Sequence, residues 1–235
     1  MTQTLSKFID EWAGNYHELF NQIGVLNLNL ELNNQQLSDF VEIFGEVRSC
    51  MSFITWKLGS WAPDEKYKKI ILGSVESEFG GTNPSHDQLF WQFRESVDQI
   101  PNATTAFNFL DYGQGVNIAE KVNDKYNLFF LSKKSWISKW AAFVALERLD
   151  SIEYSIFYKF AKKVFSDKKN ADLTFFEVHA NADHFELLMP SLQEMWDTSP
   201  DEVRRGFEFI QKTQLGLWNS VNLYFKHYDS RNFNL

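Results

Sequence analysis

The feature that most constrains this chain is how few residues it has for turning corners: 235 residues contain only 11 glycines and 5 prolines. Gly and Pro punctuate short elements, so their scarcity predicts few, long elements, and helices rather than a many-stranded sandwich. No internal repeat, low-complexity tract or Pro-, Gly- or Ser-rich linker breaks the sequence. One domain over residues 1–235 is expected, and that much chain can bury a sizeable core without covalent staples.

The apolar periodicity supports this reading. Leu5, Phe8, Ile9, Trp12, Tyr16, Leu19 and Phe20 recur at helical spacing and predict a helix over 2–23. Residues 24–32 alternate like a strand but have no convincing partner, so an extended connector is expected. Asn33 with Gln36 has the form of a capping box opening a second helix to about Leu58. Asp64 is placed to cap a third helix, interrupted at Gly80-Gly81 and Pro84 and resuming to about Val97. Residues 99–131 are the least regular, with a short helix predicted at 103–110 and turns at Gly113 and Gly115. They are expected to form a mobile cover over a substrate cavity. Ser132 is expected to open a long helix to about Phe165, and 171–197 to form another, kinked at Pro190. Ser199-Pro200-Asp201-Glu202 reads as an N-cap, a proline at N1 and a glutamate at N3, launching the last helix. The expected fold class is all-α, a bundle of seven or eight helices.

Charge and cysteine content narrow the function classes. With 23 Lys+Arg against 31 Asp+Glu, the formal charge is −8. An acidic surface repels phosphate backbones, so no nucleic-acid partner is expected. No stretch approaches the length of an apolar membrane span, and no membrane partner is expected. Asp10 and Glu11 deny the N-terminus the apolar centre of a signal peptide. The single cysteine, Cys50, excludes an intramolecular disulfide and fits a reducing, cytoplasmic setting. The Phe- and Trp-rich helices are compatible with a homodimer.

Chemistry is suggested where polar residues occupy positions that a helical stripe would fill with apolar ones. In 171–197 an apolar row runs Phe175, Val178, Ala182, Phe185, Met189 and Leu192. The neighbouring row holds His179, Asp183 and Glu186 at i, i+4 and i+7, three metal-competent side chains on one face. Along 132–165 the stripe Trp140, Val144, Glu147, Ser151 puts a carboxylate where a leucine would sit. In the third helix Tyr67, Ile71 and Ser74 lead to Glu78 on the inward row. Burying several carboxylates together is costly unless a cation or a proton neutralises them. Carboxylates and imidazoles projecting inward from different helices of a bundle suit a non-haem diiron or dimanganese site. Buried, hydrogen-bonded histidines and surface charges are the simpler alternative.

Three segments carry a resemblance to a known family. Glu78-Phe79-Gly80-Gly81-Thr82-Asn83-Pro84-Ser85-His86-Asp87-Gln88-Leu89-Phe90 has a Glu, a Gly-containing stretch, then His followed by Leu and an aromatic. Ala141-Ala142-Phe143-Val144-Ala145-Leu146-Glu147 is a small apolar run ending in Glu. Phe175-Phe176-Glu177-Val178-His179-Ala180-Asn181-Ala182-Asp183 carries His-x-x-x-Asp. In this order they resemble the haem-oxygenase-like diiron oxidases, and within them the group similar to the Chlamydia protein associating with death domains. The likeness covers roughly residues 33–190. It implies a haem-oxygenase-like (TenA-like) bundle around a dinuclear iron site, with manganese as the alternative metal. Dioxygen would be co-substrate, and a small amino-acid-like or fatty-acid-like molecule the substrate. Carried over, the ligands are Glu78, His86, Glu147, His179 and Asp183. The family's last histidine is replaced by Glu186, still a hard oxygen donor. Glu78 to His86 is a step of eight where close relatives use seven, and a break at Gly80-Gly81 and Pro84 is expected to absorb the extra residue. The tyrosine and lysine that the Chlamydia-type proteins use in making p-aminobenzoate correspond to Gly24 and Phe157, so that activity is not transferred.

Two rival functions remain open at this level. One is a metal-free interaction or binding protein of similar fold. The other is a thiaminase-like hydrolase with Cys50 as nucleophile, although Cys50 has no adjacent histidine. A haem-oxygenase role for His17 lacks the GxxxG that would let a helix approach a haem face.

Overall fold

The computed structural model describes residues 3–24, 32–80, 84–100, 115–166, 170–181 and 185–228. All regular structure among them is helical: α1 (Leu5–Ile23), α2 (Asn34–Trp61), α3 (Glu65–Phe79), α4 (His86–Asp98), α5 (Gly115–Leu131), α6 (Trp136–Val164), α7 (Thr174–Asn181), α8 (Met189–Thr198) and α9 (Pro200–Tyr228). No described helix is long and apolar enough to cross a membrane.

Local capping explains most of the boundaries. Thr4 accepts from the Lys7 N–H at the start of α1, and Gly24, at φ 63°, ends that helix in the left-handed region where glycine is unstrained. Asn33 and Gln36 exchange side-chain and backbone hydrogen bonds, both 2.9 Å, and open α2. Asp64 accepts from the Lys66 and Tyr67 N–H groups at the start of α3.

Four expectations are revised. The helix count is nine among the described residues rather than seven or eight. Residues 115–131, expected to be irregular, form α5, which packs against α2 and α9; the short helix expected at 103–110 lies outside the described residues. Ser132 does not open the long helix. Its hydroxyl donates to the Phe129 carbonyl (2.6 Å) in the turn ending α5, and Ser135 caps α6 by accepting from the Ser138 N–H. The expected single helix over 171–197 is two: α7 stops at Asn181, and Pro190 lies in the first turn of α8, where its missing N–H costs nothing, rather than at a mid-helix kink.

Helix α6 runs through the middle, packed by α1, α2, α7, α8 and α9. Every residue from Ser138 to Leu146 is buried, so the helix has no solvent face over these turns. Its closest neighbour is α9. At Gly206 an added Cβ would lie 2.6 Å from the Ser138 carbonyl oxygen and 2.7 Å from the Ala142 nitrogen, both backbone atoms. Glu202 ties the same crossing. Instead of closing a capping box on its own helix, its carboxylate accepts hydrogen bonds from the Ser135 and Ser138 hydroxyls of α6 and pairs with Arg205. Those donors hold the Glu202 carboxyl below its ordinary range. The rest of the interior is aromatic. Phe44 of α2 meets Phe157 edge-on (5.4 Å between centroids) and Phe175 likewise (5.9 Å), linking α2 to α6 and α7.

Candidate metal centre

Glu78 lies in the last turn of α3, and His86 is the first residue of α4. Gly80, at φ 143°, ends α3 in a conformation that favours glycine. Ser85 then starts α4 with a capping box: it accepts from the Gln88 N–H (3.2 Å), and Gln88 accepts from the Ser85 N–H (2.9 Å). The step of eight therefore spans a joint between two helices rather than a helix face. Across that joint His86 Nδ1 and Glu78 Oε1 are 2.8 Å apart. His86 is buried, and the Glu78 side chain is about one-quarter exposed.

His179 comes from α7. Its Nδ1 lies 2.8 Å from the carbonyl oxygen of Phe175 one turn earlier, so Nδ1–H donates there and Nε2 keeps the lone pair a metal needs. Tyr154 stacks on one side of the ring, 4.4 Å between centroids, and Phe175 packs at 4.4 Å. The two imidazole centroids are 4.1 Å apart. One ligand atom each from Glu78, His86 and His179 lie within 4.8 Å of one another. This Glu/His/His cluster could hold a metal ion.

A cavity of about 70 Å³ adjoins the cluster, lined by Glu78 and His179 and by a row of acids on α6: Glu147, Asp150 and Glu153. Burial is the main reason these acids resist ionisation, and repulsion from neighbouring carboxylates adds to it at Glu147 and Asp150. Glu147 is pushed up to about 8 by burial and the charge of Glu78. Asp150 is raised well above the carboxylate range by burial, then by Glu147, Glu153 and Glu78. Glu153 is pushed up to about 7 by burial, while the Tyr16 hydrogen bond and the nearby Trp218 indole N–H pull the other way. Tyr16 of α1 donates its hydroxyl hydrogen to Glu153, a link across 137 residues of sequence. Phe44, Leu146, Phe157 and Trp218 supply the apolar walls.

The sequence-predicted residues divide as follows. Glu78, Glu147 and His179 line one cavity, and His86 contacts Glu78. They come from four helices, α3, α4, α6 and α7, because the expected interrupted helix carrying Glu78 and His86 is two separate helices. Asp183 lies outside the described residues, as does the Cys50 side chain. Glu186 is exposed in the turn 185–188; because α7 ends at Asn181, the i, i+4, i+7 face assumed along a continuous helix does not reach it. His17 is exposed on α1. Of the expected cover over 99–131, residues 101–114 lie outside the described residues, whereas Tyr126 of α5 lines the cavity.

Asp150 and Glu153 were missed. A single stripe through 147, 151 and 154 passes beside them, but the run Trp140-Ala141-Ala142-Phe143-Val144-Ala145-Leu146 is apolar on all sides. That is the mark of a central helix, and acids in its next turns have little but interior to face.

No protein-family model matches the chain, and no curated protein matches it either.

Proposed function

We propose that this chain is a non-haem diiron oxidase or oxygenase with a haem-oxygenase-like bundle. It would use dioxygen to oxidise a small amino-acid-like or fatty-acid-like molecule, in the reducing cytoplasmic setting that a single cysteine suits. The observation carrying this reading is the convergence of Glu78, His86 and His179 at the edge of a cavity that three further acids line. The donor set fits: imidazole nitrogen and carboxylate oxygen together suit iron or manganese. Clustered buried acids are what divalent cations would offset. When bound, iron supplies the redox chemistry with dioxygen. The protein's own part is positional. Phe175 fixes the His179 tautomer, Tyr154 and Phe175 hold its ring, and Glu147 can retain a proton at neutral pH or release it to accommodate a cation.

One observation favours a metal-free binding protein instead: Glu78 and His86 already satisfy each other through a direct 2.8 Å contact. Metal analysis of full-length protein loaded with ferrous iron decides between them. Wild type should retain iron; Glu78→Ala and His179→Ala should lose most of it; Glu186→Ala, an exposed position, should retain it. Wild type holding no more iron than Glu78→Ala would overturn the oxidase reading and leave the binding protein.

A further inference from the structure

The cavity extends beyond the metal cluster. Glu153 lies six residues after Glu147 on α6, about 9 Å farther along the helix axis, and its Oε1 is engaged by the Tyr16 hydroxyl. Facing this stretch from α9 is Gln214, only 7% exposed, on a helix whose other inward residues include Val203, Phe207, Ile210, Leu217 and Val221. Gln214 lines the cavity, and its Oε1 has no hydrogen-bond partner among the described residues. A buried amide oxygen without a donor costs more than the apolar residue that would otherwise pack there. Terminal amide rotation can present that oxygen to whatever fills the space. The charge balance points the same way: Glu78, Glu147, Asp150 and Glu153 line the cavity, and no Lys or Arg is among the described lining residues. An anionic head group would find four acids and no counter-charge.

We propose that Glu153 and Gln214 form a seat for the ammonium group of a small primary amine, with its hydrocarbon body against Phe44, Phe157 and Trp218. The seat narrows the substrate class and rests on the cavity being the active site. A cavity of about 70 Å³ holds about five waters, and so a molecule of roughly seven or eight heavy atoms. Glu153 supplies charge, Gln214 a second acceptor, and Tyr16 keeps Glu153 in one orientation while leaving the rest of the carboxylate for the ligand.

The probes are n-hexylamine, 1-hexanol and hexanoate, titrated calorimetrically into the full-length protein as purified, with iron content measured on the same samples. The amine should bind most tightly and hexanoate not detectably. Glu153→Gln, which keeps an acceptor for Tyr16, should weaken the amine by about tenfold or more without affecting the alcohol, the loss expected for a hydrogen bond to a charged group. Gln214→Leu should weaken it several-fold and serves as the second variant should the first fold poorly. Hexanoate binding as tightly as the amine, no binding by any probe, or equal amine binding in both variants would overturn the seat. Amine binding by iron-free protein would uphold the seat whatever the iron-retention test shows, so the seat and the metal reading fail separately.

Discussion

At the scale of single residues, the acids of α6 make stability depend on pH in an unusual direction. Ordinary glutamates ionise near 4.5, but in the folded, metal-free protein Glu153 does so near 7 and Glu147 near 8. Between those values the folded state holds protons that the unfolded chain has released. Stability therefore falls as pH rises from about 5 to 8, and levels off above the folded-state values. Thermal melts of metal-free protein across this range should show a falling midpoint. Glu153→Gln should flatten the slope and stabilise the protein at pH 8 by roughly 1–3 kcal/mol, the linkage expected of such a shift. A midpoint rising from pH 5 to 8 would contradict the protonated state of these acids. This is also where the sequence was hardest to read. Glu147 was legible because it breaks an apolar stripe, and His179 because it lies beside one. Asp150 and Glu153 were not, because stripe analysis presumes a helix with an outside, and α6 has none over Ser138–Leu146, the turns that lead into them.

At the scale of elements, the α6–α9 crossing depends on the missing side chain of Gly206. A Cβ there meets backbone atoms at 2.6 and 2.7 Å, so relief requires the helices to part rather than a side chain to turn. Gly206→Ala should destabilise by about 1–3 kcal/mol despite its better helix propensity, since overpacking outweighs a propensity gain of about 1 kcal/mol. Denaturant titration would test it, and a stabilised Gly206→Ala would refute the close approach. Helix existence was legible from 3.6-residue periodicity and capping chemistry: the Asn33/Gln36 box, the Asp64 cap and the Pro200 start all lie where the sequence placed them. The failures share a cause. Ser132 and Glu202 have cap chemistry but spend it elsewhere, Ser132 on the end of α5 and Glu202 on the serines of α6. A one-dimensional reading cannot tell a cap from a tertiary contact made by the same atoms.

At the scale of the whole molecule, the interior couples an aromatic core to a cluster of acids. A ligand that neutralises the acids should be felt by the fold as a whole. Ferrous iron binding only the folded state at about a hundred times its dissociation constant stabilises by about 2.7 kcal/mol, which for a chain of this size raises the melting midpoint by roughly 5–10 °C. The rise should be larger at pH 8 than at pH 6, because less proton has to be displaced there. An iron-independent midpoint by calorimetry would show that the acids are neutralised by protons alone. The joint between α3 and α4 has a different kind of consequence. His86 is located by the Ser85 capping box and Glu78 by the last turn of α3, so neither depends on counting residues from the other. Insertions or deletions between them are free to accumulate while the pair stays in contact. Sequences that share this pocket are therefore better sought by a glutamate before a glycine stop, then a Ser-His-x-Gln start after a gap of any length, than by a motif of fixed spacing.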